Sequence, residues 1–441
     1  MSNIKKLHLV SLGCTKNLVD SEVMLGRLRE YEISDDPTAS DVIIVNTCGF
    51  IEAAKEESIN TLLSLHHKRK ENSILVMAGC LSERYREEMQ ANMPEIDIFT
   101  GVGDYEKIDE LIASKQSTFS PEVYLATENS GRVITGSNYH AYIKIAEGCN
   151  QSCAFCAIPS FKGKLRSRSL SSIVKEVEML VKEGYYDFSF ISQDSSSYGR
   201  DMKMSDGLIA LIKAVETIEG VKSARILYLY PSTTTFELID AIADSKVFQT
   251  YYDMPIQHID NPMLKIMKRG FGEKKTIELL AHMKSKADAF IRTSLIAGHP
   301  GEQEWNFEKL CDFIQDFEFD RFNTFAYSNE ESTAAYTLEQ LSRDIVEKRA
   351  ETLGQIAQKS TQKSLKKMIG KTITVVIDGT SDEHEYLLSA RPLSWAVDID
   401  GEILINDTSD LPVEYGTLYE ANVTELVGSQ LLATLIKPSV R

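Results

Sequence analysis

The 441-residue sequence has no apolar run near the roughly 18 residues that a membrane span needs, so a membrane-spanning protein is not expected. It has no surplus of basic residues. Lys and Arg number 48 against 65 Asp and Glu, a net charge of −17, which argues against broad binding to nucleic-acid phosphates and favours a basic partner. There is no repeat of fixed period and no low-complexity tract, which sets repeat architectures aside. An export signal is also missing: the apolar stretch Leu7 to Gly13 follows Lys5 and Lys6 but is too short for a signal peptide's apolar region and cleavage site, and reads as a first strand. A cytoplasmic location is therefore expected. Seven cysteines in such a chain more often bind metal or react than form a disulfide framework.

The bulk composition is ordinary and the pattern is specific. Hydrophobic residues make up 43% and charged residues 26%, which supplies apolar material for two or three cores. Strand-like runs at Leu7 to Leu12, Asp41 to Asn46 and Ser73 to Ala78 alternate with polar helices such as Glu52 to Leu65, the pattern of a small doubly wound parallel sheet. A polar stretch from Ser114 to Asn138 reads as a linker. Strands recur at Tyr142 to Ala146, Phe188 to Ser192, Ala224 to Leu229, Thr250 to Asp253, Ile291 to Ala297 and Arg321 to Phe325, with helices such as Leu170 to Glu183, Gly207 to Ile218 and Lys274 to Lys286 between them. Six units fall short of a closed eight-unit barrel, so an open, partial (βα)6 barrel is expected, with its chemistry at the carboxyl ends of the strands. A charged helix from Ser342 to Met368 follows. After Gly370, β-branched runs at Thr372 to Ile377, Glu402 to Ile405, Leu418 to Glu425 and Leu431 to Ile436 predict a small all-β module. The expected fold class is α/β with three domains, residues 1–135, 136–369 and 370–441.

Cys149, Cys153 and Cys156 form CxxxCxxC in GCNQSCAFCAIP, directly after the first barrel strand. Three thiolates on one loop can hold three irons of a four-iron, four-sulfur cube and leave the fourth iron open. Structural zinc would need four protein ligands, and no fourth Cys or His lies nearby in sequence. Cys14, Cys48 and Cys80, in SLGCTKN, VNTCGF and MAGCLSE, each follow one of the three N-terminal strands. The carboxyl ends of parallel strands converge on one edge, so these three can meet as a second trio. Taken singly, each also reads as a small buried core residue. Cys311 lacks such partners and reads as a buried core thiol.

The CxxxCxxC spacing, with Phe155 before its last cysteine and a partial barrel around it, resembles the radical S-adenosylmethionine superfamily. In that superfamily the open iron binds the amino and carboxylate groups of S-adenosylmethionine, and the reduced cluster splits it to a 5′-deoxyadenosyl radical; the protein supplies placement and excludes water. Two trios in this order, followed by a β-module, resemble the methylthiotransferase family over nearly the whole chain, and its RimO-type branch in particular. The strings that carry the match are SLGCTKNLVDSE at 11–22, FCAIPSFKGKLRSR at 155–168, DMPIQHIDNPMLKIMKRG at 253–270 and FAYSNEESTAAY at 325–336. The resemblance implies two 4Fe-4S clusters and S-adenosyl-L-methionine as cofactors, one cluster generating the radical and the other holding a sulfur that a second S-adenosylmethionine methylates. It implies CH3S insertion at the β-carbon of an aspartate in a small-subunit ribosomal protein near the decoding centre, with an electron donor and a sulfur donor as further partners. The sister branch modifies an adenosine in transfer RNA. A non-catalytic iron-sulfur electron carrier is the alternative of another class, disfavoured by the barrel and its polar strand ends. ARPLSWAVDIDG at 390–401 and His299 in AGHPGE depart from the branch's usual wording without touching a cysteine.

The C-terminal module resembles a TRAM domain, a small barrel that often binds RNA. Yet residues 370–441 carry Lys371, Arg391, Lys437 and Arg441 against twelve Asp and Glu, a balance of −8, a field that repels RNA phosphates and attracts a basic ribosomal protein. Gln193 and Asp194 end the second barrel strand and Tyr230 the third; Gln257 and His258 follow the fourth, Arg292 lies early in the fifth, and Glu302 is in the loop after it. Gln193, Asp194, Gln257 and Arg292 are the residues expected to contact the cofactor, because side chains at barrel strand ends face the chemistry. His258 reads either as a proton-transfer or substrate-binding residue or as a structural histidine. Lys162, Lys164, Arg166 and Arg168 form a basic patch after the cluster loop, either solvated or attracting an acidic target loop or the cofactor's carboxylate.

Overall fold

The computed structural model describes residues 4–439; Arg441, counted in the charge of the C-terminal module, lies outside them. The chain opens with β1 (Lys6–Ser11), α1 (Thr15–Arg27), β2 (Glu32–Ile33), β3 (Val42–Thr47), α2 (Glu52–Lys68), β4 (Ile74–Gly79), α3 (Cys80–Arg84), α4 (Arg86–Asn92), β5 (Ile98–Phe99) and α5 (Ile108–Ser114). The strands make one parallel sheet in the order β2-β1-β3-β4-β5. β3, VIIVNT, is buried at every position because helices cover both faces. Its side chains alternate between two cores, Val42 and Ile44 on one face and Ile43 and Val45 on the other.

The polar stretch expected as a linker is a strap packed on this domain. Tyr124 N donates to Val102 O at 2.9 Å and Val133 N to Glu22 O at 3.0 Å. A Cβ at Gly26 would lie 2.0 Å from Gly131 O, so α1 needs glycine where the strap crosses it.

β6 (His140–Lys144) begins a second parallel array. The short antiparallel pair β7 (Ala146–Glu147) and β8 (Arg166–Ser167) pinches the base of the CxxxCxxC loop, which contains α6 (Ile158–Lys162). Then come α7 (Leu170–Lys182), β9 (Asp187–Ile191), α8 (Gly207–Glu216), β10 (Ser223–Ile226), α9 (Phe236–Ala243), β11 (Tyr251–Asp253), α10 (Asn261–Ile266), α11 (Glu273–Lys284), β12 (Phe290–Ala297), α12 (Glu304–Phe317), β13 (Arg321–Ala326) and α13 (Arg343–Lys366). α7 shows how the sequence builds the outer layer: Ser169 caps it by accepting from Ser172 N, and Ile173, Val177 and Leu180 form one buried stripe. The ladders β10-β9-β6 and β11-β12-β13 are joined by Leu229 N to Asp253 O and Gln249 N to Ala224 O, both 2.7 Å. The result is the expected open, six-unit partial barrel.

The last strands, β14 (Thr372–Thr380), β15 (Leu388–Pro392), β16 (Ile403–Asp407), β17 (Leu418–Val427) and β18 (Gln430–Pro438), close into a small barrel in the order β14-β15-β16-β18-β17. β15 escaped the sequence reading because LSARP carries a buried arginine and a proline where a strand pattern wants apolar alternation. The module docks on the large barrel through one apolar cluster that joins Tyr142, Leu227, Tyr251 and Phe290 to Trp395 and Ala396. Asp187 of β9 ties Arg225 of β10 to Arg391 of β15 at 2.8 and 2.9 Å. Beside this seam lies a cavity of about 930 Å³ lined by Asp378, Asp398, Asp400 and Glu402 among others. Among the described residues no helix is long and apolar enough to cross a membrane.

Candidate functional site

The N-terminal cysteines stand where three neighbouring parallel strands end. Cys14 caps α1 after β1, Cys48 follows β3, and Cys80 opens α3 after β4, with β1, β3 and β4 adjacent in the sheet. Two glycines permit the approach. Gly13, at φ +86°, would put a Cβ 2.6 Å from Cys48 Cβ, and Gly79, at φ +97°, would put one 2.3 Å from Asn46 Oδ1. Asn17, which the sequence reading did not single out, laces the three loops: its Nδ2 donates to Leu12 O at 3.0 Å and Thr47 O at 3.1 Å, and its Oδ1 meets Cys80 Sγ at 3.6 Å. Cys14 is exposed while Cys48 and Cys80 are buried. Burial pushes the Cys48 thiol up to about 11 and Cys80 higher still, so a metal must displace protons to take these ligands.

The barrel trio sits on the loop between β7 and β8. Gly148 at φ +76° lets this loop close, since a Cβ there would lie 2.2 Å from Lys164 O, and Cys149 N donates to Gly163 O at 3.1 Å. Burial pushes Cys149 up to about 11 and Cys156 to about 12. Cys153 Sγ is met from two sides, by Tyr230 Oη at 3.4 Å and by Arg269 Nη1 donating at 3.3 Å. The buried Arg269 also stacks 4.0 Å from the Tyr230 ring centroid. Arg269 lies in DMPIQHIDNPMLKIMKRG, but its pairing with Cys153 spans 116 positions and leaves no local signal in the sequence.

Four charges lie between the two trios. Lys144 bonds Asp20 of α1 and, at 2.8 Å, Glu147 of β7; Lys162 lies 3.5 Å from Asp20 and 3.7 Å from Glu147. All four are buried. Burial works to raise the Glu147 carboxyl, but Lys144 and Lys162 outweigh it and bring it to about 2. The basic patch read from sequence is therefore two different things. Lys162 and Arg168 are buried and matched by carboxylates, whereas Lys164 and Arg166 remain exposed.

The expected cofactor contacts divide in the same way. Gln193 donates to Glu147 and leaves its Oε1 buried without a partner; Gln257, at φ +68°, also holds a buried Oε1 without one. Asp194 is saturated instead. It accepts from Gln151 Nε2 at 2.7 Å, Ser197 Oγ at 2.6 Å, Ser196 Oγ at 2.9 Å and Thr233 Oγ1 at 3.1 Å, so it holds the cysteine loop rather than offering free lone pairs. Arg292 turns away from the cysteines to Asp253 at 2.7 Å and toward Asp400 of the C-terminal module at 3.8 Å; its early position in β12 puts it below the strand ends. His258 is structural: its Nδ1 accepts from Ile259 N and Asp260 N, its Nε2 faces Glu302 Oε1 at 3.3 Å, and Glu302 binds Arg349 at 2.8 Å. Cys311, on α12, packs half-buried against the large core.

Among the described residues no three His, Cys, Asp or Glu converge on a single metal ion. Three thiols at each edge suit the corner irons of a cube, and the two partnerless glutamine oxygens lie at the strand ends where an ammonium or hydroxyl donor would be accepted. A partial barrel with a three-thiol loop at its top, joined to a parallel-sheet domain with three more thiols at its edge, has the architecture of a radical S-adenosylmethionine enzyme.

The Radical SAM superfamily matches residues 143–314, uncharacterized protein family UPF0004 residues 6–101 and the TRAM domain residues 369–436. Proteins named ribosomal protein uS12 methylthiotransferase RimO are similar end to end. That of Sulfurovum sp. is 80% identical over 99% of this chain and 100% of its own, and that of Aliarcobacter butzleri 62% identical over 98% of each. The solved radical S-adenosylmethionine methyltransferase TsrM from Kitasatospora setae, with cobalamin and a 4Fe-4S cluster bound, shares the fold at a TM-score of 0.55 and 13% identity, over 75% of this chain and 74% of that one. The chain belongs to the RimO family of methylthiotransferases.

Proposed function

We propose that this chain inserts a CH3S group at the β-carbon of an aspartate in ribosomal protein uS12. The observation that carries the reading is the pair of thiol trios on the strand-end edges of two parallel sheets, bridged by the buried Asp20, Lys144, Glu147 and Lys162 charges. Cys149, Cys153 and Cys156 would hold one 4Fe-4S cluster, and Cys14, Cys48 and Cys80 the other. When bound, these groups and S-adenosylmethionine supply the reducing electron, the hydrogen-abstracting radical and the sulfur.

The chain's own residues do the placing. Asp194 fixes the cysteine loop through Gln151. Gln193 and Gln257 offer acceptor oxygens to the cofactor's ammonium and hydroxyl groups. Arg269 and Tyr230 hold Cys153 Sγ in a fixed direction. The closed charge quartet keeps the seam between the sheets rigid and dry, and no general acid and base pair is required. An electron donor and a sulfur donor complete the partner set. The acidic C-terminal module favours encounter with a basic protein over RNA, and that steering weakens with salt. Residues 1–135, 136–369 and 370–441 are the three domains of this proposal.

The experiment is anaerobic reconstitution of the wild type and two triple variants, followed by iron and sulfide analysis and assay of 5′-deoxyadenosine. Cys→Ala at 14, 48 and 80 should halve the iron and keep deoxyadenosine formation while losing CH3S transfer. Cys→Ala at 149, 153 and 156 should lose both activities. Methylthiolated product from the first variant would overturn the assignment.

A further inference from the structure

We propose that Lys16, lying over Tyr228 beside the N-terminal thiols, binds the side-chain carboxylate of the target residue. The inference rests on the reading that the substrate residue is an aspartate.

Lys16 is two residues from Cys14, in the first turn of α1. A cation there opposes the partial positive charge of a helix N-terminus, and α1 has no acidic residue in its first turn to offset it. Local stability therefore does not account for a lysine at this point; an anion arriving from outside would be favoured by both charges. The neighbouring buried cations are already matched. Lys144 and Lys162 have Asp20 and Glu147, Arg132 has Glu22 and Glu176, and Arg84 has Glu330. Among the described residues Lys16 has no carboxylate within 4 Å; its ammonium rests 3.5 Å from the centroid of the Tyr228 ring.

Tyr228 is itself held at cost. Its φ of +73° lies in the left-handed region, uncommon for an aromatic residue and maintained only where surroundings over-determine it. Those surroundings are visible: Tyr228 N donates to Asp253 Oδ2 at 3.1 Å and Tyr228 O accepts from Ser195 N at 2.9 Å. The large barrel thus presents an aromatic face to a lysine of the N-terminal domain, and Tyr228 Oη reaches Thr15 Oγ1 at 3.5 Å. A ring contact stabilises an ammonium while leaving N–H groups free for an anion. The exposure pattern agrees, since Cys14 is exposed and Lys16 and Tyr228 are half-buried.

The geometry suits the chemistry of an aspartate. Its β-carbon is bonded directly to the carboxylate carbon, so a carboxylate anchored next to Cys14 brings the reacting carbon to the edge whose thiols would hold the sulfur-bearing cluster. Asparagine at the same position would keep the shape and lose the charge.

The test is a binding cycle with full-length, reconstituted enzyme kept anaerobic. Purified uS12 and its variant with the target Asp→Asn are titrated against wild type, Lys16→Met, Lys16→Arg and Tyr228→Phe, with fluorescence anisotropy as readout and iron and sulfide content measured for each protein. Wild type should bind the Asp form roughly 10- to 100-fold more tightly than the Asn form, as a charged hydrogen bond implies. Lys16→Met should bind both forms alike, and Lys16→Arg should restore most of the discrimination. Tyr228→Phe, which keeps the ring, should discriminate as wild type does. Unchanged Asp over Asn preference in Lys16→Met would overturn the proposal. So would loss of half the iron in that variant, which would assign Lys16 to the thiolates. Failure of wild type to bind or modify uS12 at all would instead remove the substrate reading beneath it.

Discussion

Replacing Asp187 by Asn takes the single negative charge from between two buried guanidinium groups. Asp187 Oδ1 lies 2.8 Å from Arg225 and Oδ2 2.9 Å from Arg391, and all three side chains are buried. Burial works to raise the Asp187 pKa, but Arg225 and Arg391 hold it well below the usual carboxylate range. Removing one partner of a buried pair costs about 3–5 kcal/mol because a charge is left unmatched; here Arg225 would lose its carboxylate, while Arg391 would keep only Asp378 at 3.5 Å. Arg391→Met should cost less, since Asp187 keeps Arg225 and an apolar chain fills the space. The double variant should lose less than the singles summed, by about 1 kcal/mol or more.

The assay uses a local reporter. The chain has two tryptophans, Trp305, exposed, and Trp395, buried in the docking face. In a Trp305→Phe background, Trp395 fluorescence follows release of the C-terminal module in urea. With a slope of about 1–2 kcal/mol per molar urea, the Asp187→Asn midpoint should fall by roughly 1.5–5 M. The carboxylate contributes stability above its unfolded value near about 4 and loses that contribution as pH falls through its depressed folded value. The gap between wild type and variant is therefore full at pH 7 and closes in acid. Strictly additive losses, or a midpoint shift under about 0.3 M at neutral pH, would refute the reasoning.

Arg269→Met and Tyr230→Phe each delete a donor to Cys153 Sγ. Such donors favour the more negative, reduced cluster, so the barrel cluster's midpoint potential should drop by tens of millivolts, at about 59 mV per tenfold in the equilibrium constant, in an EPR-monitored redox titration; an unchanged or higher potential contradicts the assigned role. Burial pushes the Asp378 carboxyl up to about 6 despite Arg391, so its ionisation lowers stability as pH rises from about 4 through that value. Asp378→Asn should accordingly raise Tm more at pH 8 than at pH 4.5, and an equal gain at both pH values would count against it. Gln193→Ala and Gln257→Ala should each weaken S-adenosylmethionine binding several-fold in equilibrium dialysis with iron content unchanged, while unaltered affinity in both would exclude their partnerless oxygens as cofactor acceptors.

The positions of the two cysteine trios in the fold, and the barrel, were legible because their signals are local or periodic: strand ends for Cys14, Cys48 and Cys80, an eight-position motif for the other trio, and six alternating strand and helix units. What escaped depends on contacts between distant positions. Lys162 reads as an exposed loop lysine until folding brings Asp20 and Glu147 beside it. ARPLSWAVDIDG reads as loose wording, yet it supplies Arg391, Trp395 and Asp400 to the seam with the barrel. Arg292 belongs to the same seam, so its position in a barrel strand misdirected the expectation of a cofactor contact. Asp194 was placed correctly at a strand end, but Gln151 and Thr233 from distant loops join the neighbouring Ser196 and Ser197 in consuming its oxygens.

The most direct test of the central claim is anaerobic turnover of the reconstituted chain with S-adenosylmethionine, a reductant and a sulfide source. Purified small ribosomal subunits go in one tube and unmodified transfer RNA in another, and both are read by mass spectrometry. The account predicts a CH3S group on one aspartate of uS12, with 5′-deoxyadenosine formed, and no change in the RNA. Methylthio product on the RNA alone, or none on uS12 from enzyme that carries both clusters and makes deoxyadenosine, would contradict it.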